Sequence, residues 1–336
     1  MRRMSFGRAV EDALAQAMAA DPRVVVFGED VPLLRRNLLA RFGTDRVRSA
    51  PISESALLGA AVGAAMAGLR PVVELVLVDF IAVAASAVLN EATKVEAFSG
   101  GRWRVPLVIK AACGGGYGDG GQHEQCLWGW LAHIPELAVV VPSNPADAGG
   151  LLIAAVEHER PVIFLEPKLL NTEWLDFLGR GGRENMSFDV PEAGTIGEVP
   201  DEWTPLPFGR AVVRRLGRDL TMVGVGVAVH RAIEAAAALE KEGIQAGVID
   251  LRTVSPLDRE TVCEAVALSG RMLVIDEDYR EFGLSGELAA SIGEAGIKAG
   301  FARVCTDTVI PYARNLEDQV LPNTDRIIAA ARKLMK

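Results

Sequence analysis

Residues 51–69 read Pro-Ile-Ser-Glu-Ser-Ala-Leu-Leu-Gly-Ala-Ala-Val-Gly-Ala-Ala-Met-Ala-Gly-Leu. Ser53 is a favourable N-cap residue, and nearly everything after it is small or apolar, which predicts a helix that stops at Gly68. A helix apolar on every side belongs in the interior. Yet Glu54 stands at its first position. A carboxylate entering a buried helix is costly unless something pairs with it. Two readings follow. In one, Glu54 complements the helix dipole at a partly wet end. In the other, the acid sits in an apolar pocket, where it holds a proton and exchanges it with a ligand.

Outward from this helix, strands and helices alternate. Residues 5–20 place Ala9, Val10, Ala13, Leu14, Ala17 and Met18 at helical spacing, and Asp21-Pro22 ends that run. Residues 24–27 form a short apolar run, a buried strand, followed by Gly28-Glu29-Asp30. Residues 31–50 are basic and mixed and predict a loop with one helical turn or more. Arg70-Pro71 leads into a strand at 72–77, and a long helix is expected over 79–98. Further strands are predicted at 106–111, 138–141 and 161–165, with a helix at 145–157. Residues 171–207 are rich in Gly, Pro and Glu and read as a connection. Beyond it come strands at 219–225, 245–250, 271–276 and 302–305, and helices near 229–242, 258–269, 284–295 and 322–335. The alternation predicts an α/β chain of two doubly wound domains with mostly parallel sheets, 1–170 and 208–336, joined by 171–207.

The length of 336 residues suits two domains, and a composition half hydrophobic but only 6% aromatic suits closely packed layers. A net charge of −9 argues against a nucleic-acid partner, which needs a basic face. The four cysteines, Cys113, Cys126, Cys263 and Cys305, form no C-x-x-C pair and predict a reduced, cytoplasmic protein. The N-terminus runs straight into an amphipathic helix with no apolar core of signal-peptide type. The most apolar long stretch, 72–89, contains Glu74 and Asp79, so no membrane span is expected.

Candidate ligand-facing residues cluster in a few places. Residues 113–124 contain six glycines in twelve positions, a loop that lets backbone approach something closely. His123 follows it; it is either structural or a ligand-facing group at the border of such a loop. Glu29 follows a strand, where α/β proteins place ligand groups, or is a solvated loop acid. Phe80 sits where a strand passes into a helix and reads as core on sequence alone. Gly224-Val-Gly226, with Asp250 ending the next strand, is part of a dinucleotide fingerprint, but Val229 stands where the third glycine or alanine belongs. Gly118-Asp119-Gly120 resembles half of a diphosphate–metal motif; no Asn-Asn pair occurs anywhere in the chain, so it reads as loop.

Taken together, nine runs resemble one family in order along nearly the whole chain: Phe-Gly-Glu-Asp (27–30), Pro-Ile-Ser-Glu-Ser (51–55), Gly-Leu-Arg-Pro-Val-Val-Glu (68–74), Asp-Phe-Ile (79–81), Gly-Gln-His-Glu-Gln (121–125), Val-Val-Pro-Ser-Asn-Pro (140–145), Phe-Leu-Glu-Pro-Lys (164–168), Val-Ile-Asp-Leu-Arg-Thr-Val-Ser-Pro-Leu-Asp (248–258) and Pro-Tyr-Ala-Arg-Asn-Leu-Glu (311–317). The family is the beta subunit of the decarboxylating component of 2-oxo acid dehydrogenase complexes, of pyruvate, branched-chain and acetoin type. The resemblance implies a transketolase-like pyrimidine-binding domain followed by a transketolase C-terminal-like domain.

It also implies a thiamine diphosphate enzyme in which this chain supplies half of each active site. By matching position, Glu54 would hydrogen-bond a pyrimidine ring nitrogen and thereby help the cofactor lose its thiazolium proton. Phe80 would stack on the ring, Val76 would join the cofactor-binding set, and Glu29 would support it. His123 would line the substrate end and assist proton handling or acyl transfer. An alpha subunit in an alpha2-beta2 heterotetramer would hold the diphosphate and Mg2+ with its own Gly-Asp-Gly…Asn-Asn motif. The acyl group of a small 2-oxo acid would pass to a lipoyl acyltransferase core. Backbone carbonyls of Leu107, Ala155, His158 and Arg160 match a structural K+ site of some members.

Two departures stand out. The segment between Glu29 and Glu54 is about six residues shorter than usual, and the usual His-Ser-Gln reads His-Glu-Gln, adding Glu124 beside His123. They open the alternatives of another acyl acceptor or of a scaffold chain without catalysis. An NAD-dependent oxidoreductase using Gly224 and Gly226 is the rival from another enzyme class.

Overall fold

The computed structural model describes residues 1–174 and 187–336. Of the expected connection 171–207, residues 175–186 thus lie outside the described residues. Fourteen strands are described: β1 (Arg2–Ser5), β2 (Val24–Gly28), β3 (Val47–Ser49), β4 (Arg70–Leu77), β5 (Val108–Cys113), β6 (Ala138–Val140), β7 (Val162–Pro167), β8 (Ile196–Val199), β9 (Val212–Arg215), β10 (Leu220–Gly224), β11 (Ala246–Asp250), β12 (Thr253–Ser255), β13 (Arg271–Tyr279) and β14 (Gly300–Thr306).

Seven of them form the first sheet, in the order β12-β6-β7-β5-β4-β2-β3, parallel throughout except where β12 meets β6. Such a sheet is covered on both faces, so its strands read as apolar runs rather than alternating ones. Along β7, Val162 and Phe164 enter one apolar cluster while Ile163 and Leu165 enter the other. Helices Phe6–Ala20 and Pro145–Glu157 cover the first face, and helix Glu54–Met66 covers part of the second. The second sheet runs β14-β13-β10-β11-β9, parallel except at β9. Helices Val227–Glu240 and Thr324–Leu334 cover its outer face. Its inner face, with Val223, Ile249 and Val274, belongs to the same cluster as Leu57 and Ile109 of the first unit.

Local chemistry starts several of these elements. Asn144 caps the helix Pro145–Glu157 by accepting from Asp147 N at 3.0 Å, and Pro145 costs nothing at the first turn. Gly149 and Gly150 in this helix let residues 203–206 lie against it. A Cβ on Gly149 would stand 2.2 Å from the Trp203 ring. Trp203 is fixed by Nε1–H donating to Asp12 (2.8 Å) and by a two-way amide pairing with Gln16. Gly149→Ala is therefore expected to destabilise the chain by about 1–3 kcal/mol through overpacking, read as a lower denaturant midpoint at unchanged slope.

The connection beyond residue 186 is ordered against the first unit. β8 pairs antiparallel with β1, Arg2 opposite Val199 and Ser5 opposite Ile196. These strands, together with β3, β9 and β12, are additions to the elements expected from the sequence.

Three expectations are corrected. The long helix over 79–98 is instead a 3₁₀ turn (Val78–Ala82), a π-helical turn (Ala87–Ala92) and one α turn (Val95–Phe98). Tertiary bonds withdraw groups from a regular ladder here. Ser55 Oγ donates to Val83 O at 2.6 Å, and Asp79 turns to accept from Gln125. The segment 31–50 carries its helical turns as helices Val31–Leu34 and Arg36–Phe42, and it adds strand β3, which was not expected. Helix Glu54–Met66 is buried on one face only, through Leu57, Leu58, Ala61, Val62 and Ala65. Its other face presents Ala56, Ala60 and Gly63, with open space above Gly59 and Gly63. Ser53 occupies the cap position, but its side chain makes no capping hydrogen bond.

Candidate active site

The carboxyl ends of β2 and β4 and the start of helix Glu54–Met66 bring together the residues singled out above. Gly28 ends β2 where a Cβ would stand 2.2 Å from Glu74 O, so glycine alone permits this approach of two backbones. Glu29 follows at once. Its carboxyl is shifted upward by burial, and the charges of Asp30 and Glu54 add to the shift. Glu54 is half-buried at the first position of its helix, where the unpaired N–H groups favour a negative charge. None of the described residues donates a hydrogen bond to it.

Phe80 and Val76 are also half-buried, packed with Leu34 around Leu77, Ala112 and Trp174. The His123 ring meets the Phe80 ring edge-on, with centroids 5.9 Å apart and planes at 86°. His123 Nδ1 lies 3.2 Å from Asp119 O, and Lys168 Nζ donates to His123 O at 2.6 Å. The set is open to solvent on one side: two acids, an apolar shelf and an imidazole at its rim. An apolar shelf with acids near it suits a flat heteroaromatic group with a polar edge.

A second layer of charge beneath the His123 loop was not visible in the sequence. Gly115 N donates to Glu277 (2.7 Å), Gly116 N and Gly118 N to Glu317 (3.0 and 3.3 Å), and Tyr117 N to Glu124 (2.8 Å). Burial pushes the Glu277 carboxyl up to about 7, against the pull of the Gly115 amide. Gln125 bridges Asp79 (2.8 Å) and the Tyr279 hydroxyl (3.2 Å). The signal that points to this layer is the run Asp276-Glu277-Asp278 inside an apolar strand, since three acids there must face something. Glu317 and Lys168 lay within the family runs without a role.

The dinucleotide reading is not supported. Asp250 is fully buried and accepts from Ser143 Oγ (2.5 Å) and Arg214 Nη2 (2.8 Å), which occupies the group that would hold a ribose. Gly226 packs against Pro167 and Val141 of the first unit. Gly118-Asp119-Gly120 lies in the loop, as expected, and among the described residues no group of three or more His, Cys, Asp or Glu side chains is arranged to hold a metal. Of the four carbonyls matched to a potassium site, Leu107 O accepts from Val162 N (2.8 Å), Ala155 O from His158 N (3.3 Å) and His158 O from Arg70 (3.3 Å), while Arg160 O lies 3.1 Å from His158 Nδ1. A hollow of about 700 Å³ lined by His133, Pro256, Arg259, Phe282 and Leu284 includes none of the expected site residues. No described helix is long and apolar enough to cross a membrane.

Comparison with known proteins identifies the family. Residues 2–172 match the family described as transketolase, pyrimidine binding domain, and residues 209–327 match transketolase, C-terminal domain. The acetoin:2,6-dichlorophenolindophenol oxidoreductase subunit beta of Cupriavidus necator is 39% identical, covering 100% of this chain and 98% of the relative. The 2-oxoisovalerate dehydrogenase subunit beta of Bacillus subtilis is 37% identical over 98% of both chains. The pyruvate dehydrogenase E1 component subunit beta of Rhizobium meliloti is 37% identical over 99% of this chain and 70% of the relative. A solved structure described as a split-gene transketolase, an inactive β4 tetramer, superposes with a TM-score of 0.78 over 99% of this chain and 98% of that one, at 22% identity, a likeness of fold. This chain therefore belongs to the transketolase-like, thiamine-diphosphate-dependent family of beta subunits of the E1 components of 2-oxo acid dehydrogenase complexes.

Proposed function

We propose that this chain is the beta half of a decarboxylating 2-oxo acid dehydrogenase, active in an alpha2-beta2 heterotetramer and passing an acyl group to the lipoyl arm of an acyltransferase core. The observation that carries the reading is the open shelf of Phe80 and Val76 between an unengaged Glu54 and the His123 ring. It is half a site. It offers a ring platform and an acid but nothing for a diphosphate, which with its Mg2+ falls to the alpha subunit. The exposed small-residue face of helix Glu54–Met66 suits burial by a partner chain, a second mark of incompleteness. A cytoplasmic setting suits the free cysteines.

Thiamine diphosphate, when bound, supplies the nucleophilic carbon and the electron sink that decarboxylation needs. The chain's own residues hold and orient. Glu54 would hydrogen-bond the polar edge of the pyrimidine. Glu29, by sharing its surroundings, discourages both acids from being charged together. Phe80 and Val76 exclude water from one ring face. His123 stands at the rim beside Phe80, where its ring nitrogen reaches the carbonyl oxygen of a 2-oxo acid and moves a proton there. Under the same reading K+ would rest on the carbonyls of Leu107, Ala155, His158 and Arg160 as a structural ion.

The test is to isolate the tagged chain from its own cells and identify what accompanies it. The expected result is an equal amount of a chain carrying Gly-Asp-Gly…Asn-Asn, and a complex that decarboxylates a small 2-oxo acid. In that complex His123→Ala is expected to lower kcat by about 10²–10⁴-fold. Isolation of the chain alone, or an H123A complex of full activity, would overturn the reading.

A further inference from the structure

Glu124, the acid added beside His123, is fully buried, and so is Glu317 from the helix Arg314–Val320 of the second unit. Three consecutive amides of the loop hold one oxygen of each. Tyr117 N donates to Glu124 Oε1, and Gly116 N and Gly118 N donate to Glu317 Oε1. Positive φ at Gly116 (92°) and Gly118 (80°) lets successive N–H groups turn to one side, an anion-binding nest. The other oxygen of each acid, Oε2, receives no hydrogen bond from the described residues. Both carboxyl groups are thus gathered on one three-residue run of amides.

Two adjacent buried carboxylates repel strongly, and two neutral ones would waste the amide nest. One proton between them satisfies both orphan oxygens. The surroundings decide which acid carries it. Glu317 has two amides, and Arg314 Nη1 lies 3.5 Å from its Oε2. Glu124 has one amide, with Lys168 Nζ at 3.9 Å. We propose that Glu124 donates a shared proton to Glu317, and that this carboxyl–carboxylate bond latches the His123 loop to the second unit. Glu124 is thereby a positioning residue for His123.

The latch crosses between the two units at the loop that sets His123 against Phe80, so opening it frees the imidazole from the ring. Burial first, then the Glu317 carboxyl, push the Glu124 carboxyl up to about 9, with Lys168 pulling the other way. Other groups facing the cluster are Glu277 from β13, Asp79 after β4 and Cys113 ending β5. A carboxyl raised on folding contributes stability that is complete below its unfolded value. That stability is lost as pH rises through the folded value, here up to about 9. The loop is therefore held at neutral pH and released in alkali.

The inference rests on His123 being a site residue, and its test separates the two claims. Hydrogen exchange of the peptide spanning residues 114–126 is compared between wild type and Glu124→Gln at the same pH, in the chain with its alpha partner. The amide side chain of E124Q keeps an acceptor for Tyr117 N and gives Glu317 a permanent donor. Between about pH 6.5 and about pH 9.5 the wild-type loop is expected to lose at least about tenfold in protection relative to E124Q. The wild-type kcat is expected to fall over the same range at unchanged KM, a limb absent from E124Q. Glu317→Gln removes the same repulsion and flattens both curves, which keeps the test available if E124Q folds badly. Parallel exchange in wild type and both variants would overturn the latch. A wild-type complex inert toward 2-oxo acids would overturn the functional reading, while the exchange comparison still decides the latch.

Discussion

Replacing Glu54 by Gln is expected to lower the decarboxylation rate of the assembled enzyme by at least about a hundredfold while leaving the fold in place. Gln matches Glu in shape but can neither take up nor release a proton. The structural cost is small. Glu54 is half-buried and receives no hydrogen bond from the described residues, so the change removes only a favourable charge at a helix N-terminus, worth about 0.3–1 kcal/mol. Removing the neighbouring negative charge also lets the Glu29 carboxyl relax downward, which offsets part of that loss. The measurement is kcat with a 2-oxo acid and a dye acceptor, alongside far-UV circular dichroism and recovery of the alpha chain. An E54Q enzyme of full activity would take Glu54 out of the chemistry.

Arg35→Ala is expected to be the most damaging single change to stability. Arg35 sits between the two short helices that follow Glu29, only 4% exposed, and donates twice to Glu74 at 2.7 and 3.0 Å. Lys110 lies 3.4 Å from the same carboxylate and also holds Glu166, which takes Asn171 (2.6 Å) and Trp174 (3.1 Å) as well. Burial alone would raise the Glu74 carboxyl; Arg35 and then Lys110 outweigh it and hold it at about 2. Without Arg35, an ionised Glu74 shares one lysine with Glu166 in the interior. Breaking a buried pair in this way costs about 3–5 kcal/mol. The double change R35M/E74L, which replaces both charges by apolar groups, is expected to regain most of that loss. Thermal unfolding of the two variants beside the wild type checks both statements. R35A should also lower activity at temperatures where it stays folded. The segment it anchors carries Glu29, and Leu34 packs against the Val76 and Phe80 shelf.

Much of the architecture was legible because the parallel strands are buried on both faces and so appear as apolar runs. The helix Pro145–Glu157 was expected at those bounds, and the structure shows Asn144 and Pro145 starting it. The misreadings share a cause. Over 79–98 the local pattern favours an α-helix, but Asp79 and the carbonyl of Val83 are claimed by Gln125 and Ser55 from elsewhere in the chain. β1 and β8 are short, half-polar strands that exist through each other at a sequence separation longer than the whole first unit. In the site, Glu54 and His123 announced themselves by standing out from apolar or glycine-rich surroundings. Glu317 and Glu277 did not, because nothing near them in sequence hints that the amides of residues 115–118 are their partners.

The first sheet ends on β12, a strand encoded beyond the connection, among residues of the second unit. The two halves are therefore laced together, and the boundary near residue 207 is a poor place to cut. A fragment ending there would leave β6 with a bare row of N–H and C=O groups, a ready template for another chain. The same strand that completes the sheet thus acts as its hem, keeping the parallel edge at β6 from pairing with another chain.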